Sequence, residues 1–517
     1  MKSVIERFEA VTQRHANILF WGALTCVLAS LIAPIWVGSV TPITDFGGHL
    51  QMVDAYVRYD VLSPLNERVV TREAWLSPNL IPARFADLLY PLLSPNQALR
   101  LFLTLVVLGL AGALLLCLRE FGRSRVLVFI CLPFLWGGMM GLGLINYVGT
   151  YPLLFAGVAF ARRTGRDGRR SDQIALLILS CLAFFMHGLG FLFVFGLVAL
   201  SLLLALKDRR GLKQFLWLSP SLGLWLFWLV MGPLSIAGND SLSQATSRVR
   251  YQSLGDKLNA FRGDALDVLV GTADEVALLS LVLILTAWTI GRRPGSLPLR
   301  QGKWIEKVRA RPLVLLWGVS VLSVLTLPTY VGSILVDTRM VTPVILFTCM
   351  LPRPLQSRGL ARTLGTAAAI TAIGFGASLT VAANLYHERE IEPLTHLMSD
   401  LPKNVRAECV QVGRVNSLFK RRPLSHNCNA IIQTERDSFA GAGFAYTRFN
   451  AIQFRRGEGY HSLRKGDWQR SRTRSHWDYV IVRGDHRPPL KGHFTLVNSV
   501  SSTHSLGSTW SLYKMRH

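Results

Sequence analysis

An aspartate and a histidine follow the first long apolar segment of the chain, in the stretch TPITDFGGHL at 41–50. Asp45 and His49 are four residues apart, so they share one face if this stretch forms a helical turn, and a carboxylate beside an imidazole suits acid-base chemistry. Gly47 and Gly48 allow a ligand to approach the backbone closely. The structural alternative is that Asp45 caps a helix beginning at Gly47, and the two interpretations are compatible. Asp45 and His49 are therefore candidate catalytic residues.

A second histidine, His187, lies near the middle of an apolar run at 173–206 that is too long for one ordinary membrane crossing. We predict two short crossings that turn at His187, Gly188 and Gly190. An unpaired polar group in hydrocarbon costs several kcal/mol, so His187 must either hydrogen-bond to a partner or line a wet cavity. The first outcome makes it a structural histidine, and the second makes it a candidate binding residue.

An acid and a base, Asp337 and Arg339, stand where a later apolar segment begins. Residues two apart do not face each other on a helix, so the two side chains are expected to have different partners. An arginine at an outer helix end suits a phosphate, which its planar fork grips with two hydrogen bonds. The alternative for Arg339 is that it reaches the phosphates of ordinary membrane lipids.

The turn at 143–147 offers neutral hydrogen-bonding groups from Asn146 and Tyr147. Its alternative interpretation is an ordinary turn in the aromatic belt of a membrane protein. Together with His187, Arg339 and Asp337, these two residues complete the candidate substrate-binding or lipid-phosphate-binding set.

Eleven apolar segments are predicted to place these residues by crossing a membrane. They lie near 18–38, 98–118, 125–142, 145–161, 173–187, 189–206, 214–234, 274–290, 312–330, 336–352 and 363–383. The first apolar stretch has about 20 residues, longer than the 7–15 typical of a cleavable signal, so we interpret it as an uncleaved anchor.

Charge in the loops predicts the orientation of these segments. The loops at 119–125, 162–172, 207–213, 291–311 and 353–362 are rich in Arg and Lys, whereas the turns at 142–145 and 330–336 contain neither. By the positive-inside rule the N-terminus is cytoplasmic, and His187 and the C-terminus face outward. We expect a multi-pass protein of the inner (cytoplasmic) membrane with its active face on the periplasmic or extracellular side.

The predicted fold class is an α-helical polytopic membrane protein with a small mixed α/β extracytoplasmic C-terminal domain. The membrane domain covers 1–383, with outer loops at 39–97 and 235–273, and the soluble domain covers 384–517. Residues near 77–100 alternate apolar and polar positions like a helix lying in the membrane interface. Cys409 and Cys428 share the outward domain, where an oxidising environment allows a disulfide.

Composition agrees with a membrane protein and argues against nucleic acid as a partner. The chain is 50% hydrophobic and only 17% charged, with a net charge of +25. Much of the positive excess lies in short loops, where it sets topology and meets anionic lipid head groups. The sequence has no zinc-finger spacing, aromatic-basic RNA motif, Walker sequence or GxGxxG opening a helix.

The layout resembles the GT-C superfamily of polytopic glycosyltransferases: Asp45 beyond the first crossing, a long first outer loop, an outward histidine, a late Asp-x-Arg and an outward C-terminal domain. The stretch DFGGHL resembles the D-x-x-G-H-L element of bacterial membrane proteins grouped with that fold. The resemblance implies a polyprenyl-phosphate-linked sugar as donor and a glycan, lipid or protein as acceptor. It also implies that Asp45 is the catalytic base and that Arg339 and His187 hold the lipid phosphate.

The sequence departs from some members of that superfamily, because Phe46 follows Asp45 where they carry a second acid. The class of acceptor therefore stays open. The sequence indicates no cofactor, although a divalent metal is possible. Two other classes remain as alternatives: a secondary transporter or flippase of a lipid-linked or anionic substrate, and a glycan ligase or polymerase of another fold. Transport is disfavoured because the charged candidates cluster at one face and no internal repeat appears.

Overall fold

The computed structural model describes most of the chain, with gaps. The described residues are 2–59, 76–206, 209–231, 249–266, 268–291, 311–331, 334–411, 418–420, 424–440, 477–484, 494–503 and 508–516. Asp60, Glu67 and Glu73, three of the acidic residues in the first outer loop, lie outside these ranges.

Helices make up most of the described chain, as its long apolar runs predict. The α-helices are α1 Lys2–Trp36, α2 Phe46–Val57, α3 Ile81–Leu89, α4 Pro95–Glu120, α5 Val128–Cys131, α6 Gly138–Leu142, α7 Ile145–Val148, α8 Thr150–Asp167, α9 Arg170–Met186, α10 Gly188–Ala205, α11 Ser219–Leu229, α12 Leu254–Leu266, α13 Ala273–Ile290, α14 Pro312–Thr326, α15 Val341–Met350, α16 Arg358–Tyr386, α17 Glu392–Met398 and α18 Leu424–Arg436. Short 3-10 segments lie at Arg125–Leu127, Leu132–Trp136, Arg209–Trp217 and Asp337–Met340, and a π-helical turn at His387–Ile391.

Six helical segments among the described residues are long and apolar enough to span a membrane. They are His15–Trp36, Pro95–Glu120, Arg125–Leu142, Gly188–Ala205, Ala273–Ile290 and Arg358–Met398. The other five predicted crossings fall on shorter or less apolar helices, such as the 15-residue α14. A bilayer core of about 30 Å needs about 20 helical residues, so these five are marginal when counted singly. The chain is a multi-pass membrane protein, while the number of eleven crossings and their orientation stay predictions.

Two packing centres hold the helices together. Helix α1 lies along α16, and α8 packs against α4, α9 and α10. Buried aromatic rings fill the second centre, where the ring centroids of Phe155 and Phe347 are 5.0 Å apart. Leucine, valine and alanine are the commonest buried apolar residues among those described, and many other apolar side chains face outward, as expected for helices surrounded by lipid.

The C-terminal segment forms a five-stranded mixed sheet. Its strands are β4 Arg406–Gln411, β5 Phe439–Ala440, β6 Tyr479–Arg483, β7 Phe494–Ser501 and β8 Thr509–Met515, in the order β5-β4-β6-β8-β7. Strand β4 pairs in parallel with β5 and β6, and β8 pairs antiparallel with β6 and β7. Helices α17 and α18 pack on this sheet. The predicted mixed α/β character of this region is confirmed.

A smaller three-stranded antiparallel sheet joins the loop before α12 to the turn that follows α14. Its strands, β1 Val249–Arg250, β2 Tyr330–Val331 and β3 Ile334–Leu335, are paired in sequence order. Strand β3 leads directly into the 3-10 turn Asp337–Met340. The sheet therefore anchors the turn that carries Asp337 and Arg339.

Buried polar contacts fasten the C-terminal domain to the first outer loop. Arg58 donates to both carboxylate oxygens of Asp54, at 2.6 and 2.9 Å, and to Asp437 at 2.7 Å. The amide of Gln433 donates to Asp54 at 2.8 Å. Asp54 belongs to α2, the helix that begins directly after Asp45, so the domain holds the candidate catalytic segment in place.

A buried ion pair also joins the domain to the end of α16. Arg483 of β6 grips Glu390 with two hydrogen bonds, at 2.7 and 2.6 Å, and Ser508 donates to the same carboxylate at 2.7 Å. Two charges taken out of water are tolerated only when they are well paired, and this carboxylate is fully enclosed. The segment that follows the predicted domain boundary at 383 is therefore packed against the C-terminal sheet.

Candidate active site

Asp45 stands at the N-cap position of α2, held by backbone contacts to the turn after α6. The amide of Thr44 donates to the carbonyl of Gly141, at 3.1 Å, and the amide of Asp45 donates to that of Leu142, at 3.0 Å. The side chain of Asp45 makes no capping hydrogen bond to α2. Burial raises the pKa of its carboxyl to about 6. A carboxylate with that pKa is a stronger base than an exposed one.

Gly143 makes this close approach possible. Its φ of 82° lies in the left-handed region, and a Cβ at this position would lie 2.5 Å from the Asp45 nitrogen. Any other residue would therefore strain the backbone and push Asp45 away. The turn that carries Asn146 and Tyr147 thus also sets the position of Asp45.

His49 lies one helical turn after Asp45, as the four-residue spacing predicts. Its amide donates to the Asp45 carbonyl at 3.0 Å, and its side chain is 6% exposed. Helix α2 thus places the buried imidazole of His49 one turn from Asp45.

His187 connects α9 to α10 in an extended conformation. Its Nδ1 accepts a hydrogen bond from the amide of Gly190 at 3.0 Å, so the side chain caps α10. In a neutral imidazole the other nitrogen, Nε2, must then carry the proton. The cap therefore fixes His187 with its Nε2–H pointing away from its own helix.

Arg339 meets His187 at that nitrogen. Its Nη1 lies 2.8 Å from Nε2 of His187, while its Nε donates to the carbonyl of Leu335 at 2.7 Å. The guanidinium lies over the ring of Tyr147, 5.0 Å from the centroid, and the Tyr147 hydroxyl donates to the Arg339 carbonyl at 2.8 Å. The rings of Tyr147 and His187 are also in edge contact, at 5.4 Å. Tyr147 thus contacts both the guanidinium of Arg339 and the imidazole of His187.

Asp337 has different partners from Arg339, which confirms the expectation drawn from their spacing. Its carboxylate pairs with Lys257 at 3.0 Å and accepts from the Thr329 hydroxyl at 2.8 Å and the Thr338 amide at 2.6 Å. Lys257 also donates to three carbonyls at the end of α14, of which Leu327 is the nearest at 2.6 Å. The side chain of Asp337 is thus engaged by the protein itself.

Lys257 was missed by sequence reasoning. It lies on α12 in the second outer loop, 80 positions before Asp337, and a lysine in an outer loop carries no local signal of burial. Its side chain is 4% exposed, and the pair is the buried link between that loop and the turn Asp337–Met340. This link holds the turn from which the Arg339 side chain projects.

Asn146 faces the same region with an unsatisfied acceptor. Its amide nitrogen contacts the carbonyl of Asn79 at 3.5 Å, whereas its Oδ1 is buried and has no hydrogen-bond partner among the described residues. The residue is 3% exposed. A buried amide oxygen without a donor costs free energy unless a ligand supplies one.

Contacts join all four predicted places into one region. The turn at 143–147 touches Asp45 through Gly143 and touches Arg339 and His187 through Tyr147. The region offers one basic carboxylate, one arginine fork and one imidazole N–H. No group of three or more His, Cys, Asp or Glu side chains with metal-binding geometry occurs in the described ranges. Chemically, the Asp45 carboxylate can accept a proton, and Arg339 with His187 can hold an anion.

No protein-family model matches the chain, and no curated protein sequence matches it. Solved structures do resemble it. Arabinofuranosyltransferase AftD from Mycobacteria superposes with a TM-score of 0.52 and 14% identity, over 97% of this chain and 40% of AftD. ArnT from Cupriavidus metallidurans, bound to undecaprenyl phosphate, superposes with a TM-score of 0.53 and 12% identity, over 96% of this chain and 97% of ArnT. The chain spans about 40% of the length of AftD. At these identities the likeness concerns the fold, and the chain shares the overall fold of AftD and ArnT.

Proposed function

We propose that the protein is a glycosyltransferase that moves a sugar from a polyprenyl-phosphate carrier to an acceptor at the outer face of the membrane. The contact between Arg339 and His187 carries the proposal. The shared fold and the lipid bound to ArnT support it. Asp45 is the general base, with His49 beside it, and Asn146 and Tyr147 complete the lining.

The contact between Arg339 and His187 brings two donors together. Gly190 occupies the lone pair on Nδ1, so Nε2 carries the proton, and a guanidinium has no lone pair to accept it. The two nitrogens lie 2.8 Å apart, so one phosphate oxygen placed beside both can accept a hydrogen bond from each. Its negative charge makes both hydrogen bonds charge-assisted.

The reaction is then a single displacement with inversion at the anomeric carbon. The acceptor hydroxyl gives its proton to the Asp45 carboxylate while its oxygen bonds to the anomeric carbon. The bond from that carbon to the phosphate oxygen breaks, and its electron pair stays on the phosphate. Arg339 and His187 stabilise the charge that develops there. Because phosphate is already a good leaving group, one base and one anion clamp are sufficient.

Asp337 and Lys257 serve this mechanism by positioning. Their buried pair holds the 3-10 turn from which Arg339 projects, and Tyr147 holds the guanidinium from the other side. Asn146 has a free acceptor that suits a sugar hydroxyl.

Binding of undecaprenyl phosphate to the purified protein tests the proposal directly. In native mass spectrometry, wild type should retain the lipid, and Arg339→Ala should lose it. Arg516→Ala, which removes an exposed arginine of the C-terminal domain, is the matched control and should bind like wild type. A carrier bound equally by all three variants would refute the phosphate site. Proteoliposomes that move the labelled carrier across the bilayer without sugar transfer would favour a flippase instead.

A further inference from the structure

A second arginine, Arg100, is buried outside the site described above. It lies in the second turn of α4 and is 6% exposed. Its Nε and Nη2 have no hydrogen-bond partner among the residues that the structure describes. Leaving a buried guanidinium unpaired costs several kcal/mol, because charge must be removed from water without compensation. The arrangement therefore calls for an anion.

Arg100 lies where three helices end on the same side of the protein. Asn96, one turn earlier on α4, donates to the carbonyl of Ser39 just after α1, at 2.7 Å. The amide of Ser39 in turn donates to Nδ1 of His387 at the end of α16, at 3.4 Å. Arg100 lies one turn after Asn96 on the same face of α4. These contacts define an Arg100 cluster made of Arg100, Asn96, Ser39 and His387.

The backbone at Gly38 lies close against the imidazole of His387. Gly38 has a φ of 69°, and a Cβ there would lie 2.7 Å from the His387 ring. The same segment presents the Ser39 carbonyl to the Asn96 amide. The side chains of Ser39, Asn96 and His387 are only partly buried, so they form the rim through which a ligand reaches Arg100.

The unsatisfied atoms of the cluster include both hydrogen-bond donors and hydrogen-bond acceptors. Arg100 offers donors. Among the residues that the structure describes, Oδ1 of Asn96 is a buried acceptor without a partner, and the Ser39 hydroxyl, which also has none there, can act in either role. The Asn96 amide nitrogen is already committed to Ser39, which fixes the orientation of the amide. A matching ligand must therefore present an anionic oxygen together with a hydroxyl or N–H donor. A phosphate group that carries or adjoins such a donor meets both needs.

The surroundings of the cluster face lipid. Trp36 at the end of α1 is 42% exposed and donates to Thr104 of α4, whose hydroxyl bonds to the Arg100 carbonyl. Leu92, just before α4, is 81% exposed, and Leu88 is 79% exposed. An exposed tryptophan beside exposed leucines is typical of the membrane interface, where head groups lie.

We propose that the Arg100 cluster is a second phosphate-binding site, separate from Arg339 and His187, that takes the phosphate of a membrane-lipid head group with a hydrogen-bond donor next to it. The same chemistry also fits soluble inorganic phosphate, which the test distinguishes. Occupation of the site would tie the ends of α1, α4 and α16 together.

Thermal unfolding of delipidated protein in an uncharged detergent tests this site. Dihexanoyl phosphatidylglycerol, which has both a phosphate and hydroxyls, should raise the Tm of wild type on the order of 2 °C or more at saturation. Dihexanoyl phosphatidylcholine lacks the donor and should raise it less. The rise should vanish in Arg100→Gln and persist in Arg119→Gln, which removes an exposed arginine at the other end of α4.

A variant with an internal anion keeps the test decisive if Arg100→Gln does not fold. Asn96→Asp places a carboxylate one turn from Arg100 on the same helix face, so it should occupy the guanidinium and abolish the lipid response. If sodium phosphate alone reproduces the Arg100-dependent rise, the ligand is soluble phosphate and not a lipid. A lipid response that survives in both Arg100→Gln and Asn96→Asp, or that is absent from wild type, overturns the proposal.

Discussion

Nη1 of Arg339 lies 2.8 Å from Nε2 of His187, although 152 positions separate the two residues in the chain. The cap on α10 leaves His187 with a proton on that nitrogen, so the two groups face each other as donors. A lipid phosphate placed beside both nitrogens, as in the proposed function, accepts a hydrogen bond from each.

Replacing the two donors should reveal that they hold one ligand. Arg339→Lys keeps the charge but loses the fork, so kcat/KM for the lipid-linked donor should fall by about 10–100-fold. His187→Asn preserves the cap on α10 but is too short to reach the phosphate, and it should cause a similar loss. The double variant should lose less than the product of the two, because they share one phosphate. Strictly multiplicative losses in proteoliposome kinetics would contradict a common ligand.

Asp45→Asn should remove the general base while keeping the shape of the site. Turnover should fall by about 10²–10⁴-fold, since an amide cannot accept the proton of the acceptor hydroxyl. Binding of undecaprenyl phosphate should be nearly unchanged, because Arg339 and His187 are intact. Asp87→Asn, at a partly exposed carboxylate in the first outer loop, is the control and should transfer normally. Full transfer activity in Asp45→Asn would exclude Asp45 as the base.

The pH dependence of the reaction should follow the Asp45 carboxyl. Burial raises its pKa to about 6, so the base is protonated below that pH and kcat/KM should rise through about pH 6 to a plateau near pH 7. Stability should change in the opposite direction. The folded protein holds the proton more tightly than the unfolded chain, whose carboxyl has the ordinary pKa of 3.8, so stability contributed by this group falls between about pH 4 and pH 6.

Both pH effects are measurable in the same variant pair. Asp45→Asn should flatten the fall of Tm across that range, because it has no carboxyl to ionise. A wild-type activity profile that is flat from pH 5 to pH 8 would contradict the assignment of Asp45.

The four places of the candidate site were predictable from sequence because each stands at a helix end, where ionisable groups are conspicuous beside apolar runs. The contacts that join these four places were not predictable from sequence. The capping bond that orients His187 and the turn at Gly143 depend on backbone geometry. Lys257 and Arg100 are single basic residues in ordinary surroundings, and only packing with distant segments shows that they are buried.

The fold was predictable to a similar degree. Helix positions follow the apolar runs, and the alternating segments near the C-terminus became β6 and β8. Helix continuity was harder to predict, since the segment Arg125–Leu142 is divided by 3-10 turns around Pro133 and Gly137. Proline removes a backbone donor and glycine tolerates the break, so a long apolar run need not be one straight helix.

Gly143→Ala should damage the site through Asp45. The new Cβ would meet the Asp45 backbone at 2.5 Å in a conformation that disfavours any side chain, so the two segments must separate. We expect at least a tenfold loss of kcat with lipid binding retained. Gly122→Ala is the matched control, because Gly122 has a φ of 61° but open space around it, and it should cost about 1 kcal/mol of stability and no activity. Equal losses in both variants would mean that backbone strain alone, and not the contact with Asp45, is responsible.

The last prediction concerns Cys409 and Cys428, which the structure joins in a disulfide between β4 and α18. A bond that closes a loop of 19 positions should stabilise the domain by about 3 kcal/mol in the chain-entropy account. Mass spectrometry of non-reduced peptides from membranes should find the linked pair, and reductant should lower the Tm of wild type but not of Cys409→Ala/Cys428→Ala. Cys181, a free cysteine of α9, serves as the control, and Cys181→Ala should respond like wild type. Disulfides persist on the oxidising side of a membrane, so the bond also bears on orientation. Two free thiols in protein from native membranes would contradict both the bond and the outward C-terminal domain.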